Sequence, residues 1–227
     1  MQRHVSNPSD TKSRIKAAAQ LLFARNGVDG VTVQQIVSAA GQRNNAALHY
    51  HFGSKEELVR QLVVDGAKVL EARRQEMLRD LDARTATPTV RELLHVLVGP
   101  VIELGEDARF RGYVRFTSHL QASDRKAFQA ALGGRWNASY AACVAKIKAM
   151  LPWPRELVDQ RLSISSVYAN AILSAREAAL ESRRSQTGRM WDRAYTASNI
   201  IDTLEWVLVG EPSAETRVLI ASSGGAA

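Results

Sequence analysis

A chain of 227 residues with 45% apolar and 23% charged side chains can enclose a sizeable core, which excludes an intrinsically disordered polypeptide. A formal charge of +7 and a pI near 9.8 permit an acidic partner. The single cysteine, Cys143, excludes an internal disulfide and a cysteine zinc cluster.

The N-terminus lacks the basic-then-apolar pattern of a secretory leader. The most apolar run, Leu93 to Ile102, is interrupted by His95, Gly99 and Pro100 and is too short to span a bilayer. A soluble, cytoplasmic protein without membrane contact is expected. The charge is unevenly spread: residues 1–55 hold seven basic side chains (Arg3, Lys12, Arg14, Lys16, Arg25, Arg43, Lys55) against Asp10 and Asp29. A polyanion bound by the N-terminal end is one reading, and a solvated basic surface is the other.

Nearly every segment has helical periodicity and none alternates as a strand, so an all-α fold is expected. The first helix is predicted from Asp10 to Arg25, with Ile15, Ala18, Ala19, Leu22 and Phe23 on one stripe. Asn26-Gly27 ends it. Thr32-Val33-Gln34-Gln35 reads as a capping box opening a second, short helix with Val33, Ile36, Val37 and Ala40 inward and Gly41 as its stop. After the polar turn Gln42-Arg43-Asn44, a third helical segment ends in Leu48-His49-Tyr50-His51-Phe52. Ser54-Lys55-Glu56-Glu57 reads as a second capping box, starting a long helix to about Leu81. Two short helices joined by a glycine-containing turn, after a longer supporting helix, form the helix-turn-helix layout.

Beyond about Leu62, helices are predicted at Thr89–Leu104, Ala108–Gln121, Arg125–Leu132, Trp136–Met150, Glu156–Ser182 and Met190–Val209, with tails at Met1–Ser9 and Glu211–Ala227. The last two long helices are apolar round more than one face. Ile164, Val167, Tyr168, Ala171, Ile172, Ala175 and Ala179 form one stripe, and Trp191, Tyr195, Ile200, Ile201, Leu204, Trp206, Val207 and Leu208 crowd the last helix. Such helices must bury two faces, one in their own core and one against a second subunit or a thicker core.

Val31 to Gly41 and Ala47 to Leu58, with Ala-Gly closing one helix, Tyr50-His51-Phe52 closing the next and Ser54-Lys55-Glu56 opening a fourth, strongly resemble the TetR family of one-component transcriptional regulators. The likeness covers roughly Thr11 to Leu62. It implies a three-helix helix-turn-helix domain over residues 1–55 and a larger helical ligand-binding and dimerisation domain over 56–227. It also implies double-stranded DNA with a palindromic operator as partner, and a homodimer formed through the last two long helices. A repressor released from its operator by a small molecule bound in the second domain is the expectation, and a largely apolar effector is the default for such a pocket. The alternative is a DNA-binding regulator or architectural protein with no such effector.

The turn from Gly41 to Phe52 is one residue longer than the family's usual Gly-Val-Ser-type turn, which leaves open which of Arg43, Asn44 and Asn45 enters the groove. Asn44 and Asn45 suit the donor–acceptor pair of adenine, and Arg43 suits guanine or phosphate. Ala46 and Ala47 permit close approach. Thr32, Gln34, His49, Tyr50, His51 and Lys55 have the polar groups that hold a phosphate backbone. His49 and His51, two apart on a helix, point away from each other and make a poor metal pair. No metal, cofactor or catalytic residue is expected: there is no phosphate loop and no nucleophile elbow. Effector contacts are expected among the aromatics and histidines of the second half: His95, Phe110, Tyr113, Phe116, His119, Trp136, Tyr140 and Tyr168.

Overall fold

The described residues open with the helix that the apolar spacing dictates. In the computed structural model, which describes residues 8–182 and 184–223, α1 (Pro8–Asn26) buries Ile15, Ala19 and Phe23 on one stripe. Gly27, at φ +70°, stops it. α2 (Val33–Ala39) begins with the reciprocal box expected of Thr32: its Oγ1 accepts from the Gln35 N–H at 3.2 Å, and Gln35 Oε1 accepts from the Thr32 N–H at 2.7 Å. After Gly41, also at φ +70°, the chain enters α3 (Ala46–Phe52), which buries Leu48 and Phe52.

α4 (Lys55–Arg84) is the spine of the molecule. Its start departs from the expected capping box. Ser54 Oγ accepts from the Glu57 N–H at 3.1 Å, but the Glu57 carboxylate accepts from Arg60 at 2.5 and 2.6 Å and from Gln61 at 3.0 Å instead of reaching back. A bidentate guanidinium one turn ahead outcompetes a single backbone N–H. These partners hold the Glu57 carboxyl well below its ordinary range, at about 2.

The second half contains α5 (Val90–Glu106), α6 (Tyr113–Ser123), α7 (Arg125–Leu132), α8 (Ala138–Met150), α9 (Arg155–Leu180), α10 (Gln186–Trp191), α11 (Thr196–Val209) and α12 (Ala214–Ser223). There is no strand among the described residues. Three expectations are corrected. The helix predicted at Ala108–Gln121 is a 3-10 turn (Ala108–Phe110) and then α6, because Gly112 takes φ +84° between them. The helix predicted at Met190–Val209 is divided into α10 and α11 by the turn around Asp192–Tyr195. The segment read as a tail from Glu211 contains α12, started by Ser213, whose Oγ accepts from the Thr216 N–H at 3.2 Å. Residues 1–7 and 224–227 of the expected tails lie outside the described residues. Pro100 lies inside α5 rather than ending it.

Two buried clusters result. One joins α1, α2 and α3 to the first half of α4 (Leu58, Leu62, Leu70) and to Phe116 and Leu120 of α6. The other joins α5, α8, α9 and α11 around Leu93, Ile147, Leu173, Ile200, Leu204 and Leu208.

The Tyr113 ring of α6 lies against α4 where Gly66 leaves room for it. A Cβ at Gly66 would stand 2.3 Å from the Tyr113 ring, and that ring is fixed by its hydroxyl, which donates to the Val63 carbonyl at 2.8 Å. Gly66→Ala gains at most about 1 kcal/mol of helix propensity. Against this the overpacking costs about 1–3 kcal/mol or more at so short a contact. The variant is expected to have a lower urea midpoint than wild type, whereas Gly66→Ala in a Tyr113→Ala background should not lower it further.

Candidate functional site

The exposed side of α2 and α3 forms one polar surface. Thr32, Gln34, Arg43, Asn44, Ala46, His49 and Tyr50 are exposed on it, while Ala47, His51 and Lys55 are half-buried at its edge. Tyr50 stands furthest out, 82% exposed. An aromatic of that size in water on a helix with Leu48 and Phe52 already inward has a hydroxyl free to meet a phosphate or a base edge. His49 Nδ1 lies 2.9 Å from the Gly53 carbonyl oxygen. That places the donor proton on Nδ1 and closes the C-terminal end of α3, leaving Nε2 outward.

The two asparagines depart from the expectation. Asn44 Oδ1 accepts from the Ala46 N–H at 2.9 Å, the turn chemistry for which asparagine is suited. Asn45, in helical conformation at the start of α3, turns its Oδ1 inward, where it has no partner. Neither offers adenine a free donor and acceptor together. Arg43 and the amide donor of Asn44 remain directed to solvent.

Two cations on this face were counted in the charge of the N-terminal segment but not assigned to a site. Lys12 Nζ stands 5.5 Å from the centre of the Phe52 ring. Arg14 lies against the turn, since a Cβ at Gly41 would come 2.3 Å from its Nη2. Both project from α1 toward the ends of α2 and α3. Their signal in the sequence is position alone: they are the cations of the supporting helix's first turns.

A second feature lies inside the C-terminal bundle: a cavity of about 260 Å³ between α4, α5, α6, α7, α8, α9 and α11. Its wall is mainly apolar, with Leu70, Leu94, Val98, Val101, Ile147 and Leu173. Of the aromatics expected there, Tyr113, Trp136 and Tyr140 line it. The other candidates do not. His95 and His119 face solvent, and Phe110 stacks edge-on against Tyr113, their centres 6.0 Å apart. Phe116 is fully buried against Phe23 of α1, with ring centres 5.7 Å apart. The Tyr168 hydroxyl donates to the Thr203 hydroxyl at 3.0 Å between α9 and α11. Burial pushes the Tyr113 phenol above its ordinary range, so it stays neutral.

Polar groups on the cavity wall were missed by a search among aromatics. Arg74 and Ser165 are 8% and 7% exposed and line it together with Thr117, Gln121 and Asn170. The spacing Leu62, Gly66, Leu70, Arg74 puts Arg74 on the apolar face of α4, and that spacing was the available signal.

Residues 15–62 match the family model of bacterial regulatory proteins, tetR family. No curated protein matches the chain. The solved structure of the superantigen PfiT has the same fold: it is 16% identical, with 91% of this chain and 100% of that one covered and a TM-score of 0.51. The TetR-family transcriptional regulator PfmR from Thermus thermophilus is 20% identical over 88% of this chain and 100% of its own, with a TM-score of 0.47. GusR of Salmonella enterica is 17% identical over 91% and 99%, with a TM-score of 0.48. Among the described residues no helix is long and apolar enough to cross a membrane. Residues 15–62, which hold the helix-turn-helix, thus carry the N-terminal domain of the tetR family of bacterial regulatory proteins, and the described residues beyond them form helices joined by turns.

Proposed function

We propose that the protein is a homodimeric, sequence-specific DNA-binding repressor, released from a palindromic operator when a small molecule fills the cavity of the C-terminal bundle. The observation that carries this reading is the position of α6. Its residues Tyr113, Val114 and Thr117 form part of the cavity wall. On the same helix, Phe116 belongs to the core beneath α1 through its contact with Phe23. Gln20 of α1 also donates to the Arg111 carbonyl, just ahead of α6, at 2.9 Å. A ligand that prefers one position of α6 therefore prefers one position of the helix-turn-helix. The operator affinity shifts by that difference and by nothing else.

Dimerisation is supported by an apolar face left over after the bundle core is filled. Ile164, Val167, Ala171 and Ala175 of α9 are exposed at helical spacing beside Trp206 and Val209 of α11. Two-fold pairing through that face would set two α3 helices about 34 Å apart, one turn of B-DNA.

The test is recovery of sheared DNA of the source genome on the purified protein at about 0.15 M salt, where non-specific phosphate contacts are weakened. A short palindrome should be enriched. Recovery of all fragments alike would leave only a basic surface and exclude sequence reading. On the recovered site, Arg43→Ala is expected to cost about 1–3 kcal/mol and far less on random DNA. Lys55→Ala is expected to weaken both equally and to reduce the slope of log affinity against log salt by about 0.9. Equal losses from both variants on both DNAs would reject this division between base reading and phosphate contact.

A further inference from the structure

The cavity encloses a charge that the protein itself does not match. The Nη2 of Arg74 donates to the Leu97 carbonyl at 3.0 Å, and its guanidinium carbon lies 5.7 Å from the centre of the Tyr140 ring. Its Nε is buried with no partner, and no ion pair to it occurs among the described residues. Glu71, one turn earlier on α4, attracts Arg74 through space but forms no ion pair with it. Its Oε1 accepts from the Ser139 N–H at 3.0 Å, the Ser139 hydroxyl at 2.8 Å and Gln75 at 3.1 Å. It thereby caps the start of α8, where Asn137 makes no side-chain cap.

The rest of the wall has the same bias. Among the described residues the lining contains two arginines, Arg74 and Arg125, and no carboxylate. Trp136 of the lining has Lys68 Nζ 5.3 Å and the Arg135 guanidinium carbon 4.4 Å from its ring centre. Ser165 of α9 contributes a second buried polar atom to the wall, and its Oγ also lacks a partner. Much of the remaining wall is leucine and valine. A cation would meet like charge, and a neutral apolar molecule would leave the guanidinium bare in a low-dielectric space. A multiply charged phosphate exceeds what one buried arginine and a small apolar chamber can neutralise.

We infer that the cavity binds a small, largely apolar monocarboxylate whose anionic group is seated on the Arg74 guanidinium and whose second hydrogen-bonding group reaches Ser165. This rests on the cavity being the effector site of a DNA-binding regulator. The planar fork of Arg74 donates two parallel hydrogen bonds to a carboxylate, which a lysine could not do.

The test uses the full-length protein and matched probes: 3-phenylpropionate, 3-(4-hydroxyphenyl)propionate and octanoate, each against its primary amide, by titration calorimetry. At least one acid is expected to bind about tenfold to a hundredfold more tightly than its amide, the difference a charge-assisted bond makes. Arg74→Met should erase that preference, and Ser165→Ala should erase any advantage of the phenolic acid over 3-phenylpropionate. Amides that bind as tightly as their acids, acids that do not bind at all, or an acid preference surviving in Arg74→Met would each overturn the assignment. If Arg74→Met fails to fold, the acid–amide comparison on wild type decides alone. DNA retention is followed in the same samples. An acid that binds but leaves operator affinity unchanged removes the release mechanism and keeps the carboxylate site, whereas equal release by acid and amide removes the site's charge selectivity and keeps the mechanism.

Discussion

Trp206→Glu is expected to turn a dimer into a monomer that retains its fold. Trp206 is 68% exposed, on the side of α11 opposite Leu204 and Leu208, each 1% exposed. A charge there therefore touches no part of the bundle core. In a two-fold interface the substitution acts twice. Each copy removes an aromatic of the kind whose truncation costs about 2–4 kcal/mol when buried at an interface centre. Each also places a carboxylate opposite the apolar face of α9 around Ile164 and Val167. The mass by light scattering should fall to that of one chain while the helical circular dichroism persists, with a thermal midpoint lowered by loss of the partner subunit. Because two linked recognition helices gain affinity from being tethered, the operator affinity should fall about a hundredfold or more. A variant that remains dimeric would show that this face is not the interface. A wild-type protein that is monomeric at working concentrations would do the same.

Glu177→Ala is expected to cost about 3–5 kcal/mol of stability, the usual penalty for removing one partner of a buried ion pair. α6 starts at Gly112, which has no side chain to cap it. Alanine is strained there by φ +84° and by a Cβ that would stand 3.0 Å from that of Ala24. The missing cap comes from another helix. Glu177 of α9, 7% exposed, accepts from the N–H groups of Gly112 at 3.1 Å, Val114 at 3.4 Å and Arg115 at 2.9 Å. Its carboxylate also pairs with Arg115 Nε at 3.3 Å. Removing it leaves the N-terminal N–H groups of α6 and a nearly buried guanidinium without that carboxylate, although Arg115 keeps Glu181. Glu177→Gln retains one carbonyl acceptor and should lose less. Because α6 is the element shared by the cavity and the DNA-binding core, partial unfolding should begin there. Hydrogen exchange of the α6 amides should rise before that of α11. Uniform exchange in Glu177→Ala would mean that α6 is held by its apolar contacts alone.

Much of this architecture was legible in the residues because it depends on short-range rules. The stripe Ile15, Ala19, Phe23 sits on one side of any α-helix. The Thr32–Gln35 box is a bond between residues three apart, and Leu48 and Phe52 face inward because four residues return to the same face. Arg125–Leu132 agrees with α7 at both ends, since Asp124 caps one end and Gly133 at φ +56° closes the other. Errors arose where two local rules competed or where the partner was distant. Glu57 had the spacing of a capping residue and also that of a helix-surface partner for Arg60, and the stronger, charge-assisted bond favoured the latter. Pro100 was no such error: the helix expected over Thr89–Leu104 already ran through it, and α5 contains it.

The binding features divide in the same way. By itself the sequence determined an all-helical chain, a helix-turn-helix at its basic end, and the two apolar faces of its last long helices, because charge and periodicity are written along the chain. Only the tertiary structure decided that Asn44 and Asn45 turn their oxygens to the turn and the interior, that α6 joins the DNA-binding core to an internal cavity, and that Arg74 stands in that cavity unmatched. The last two depend on which groups meet across tens of residues of intervening chain. A hydrogen bond or an empty space between distant helices has no period in sequence, since it arises only when the burial of one stripe brings another against it.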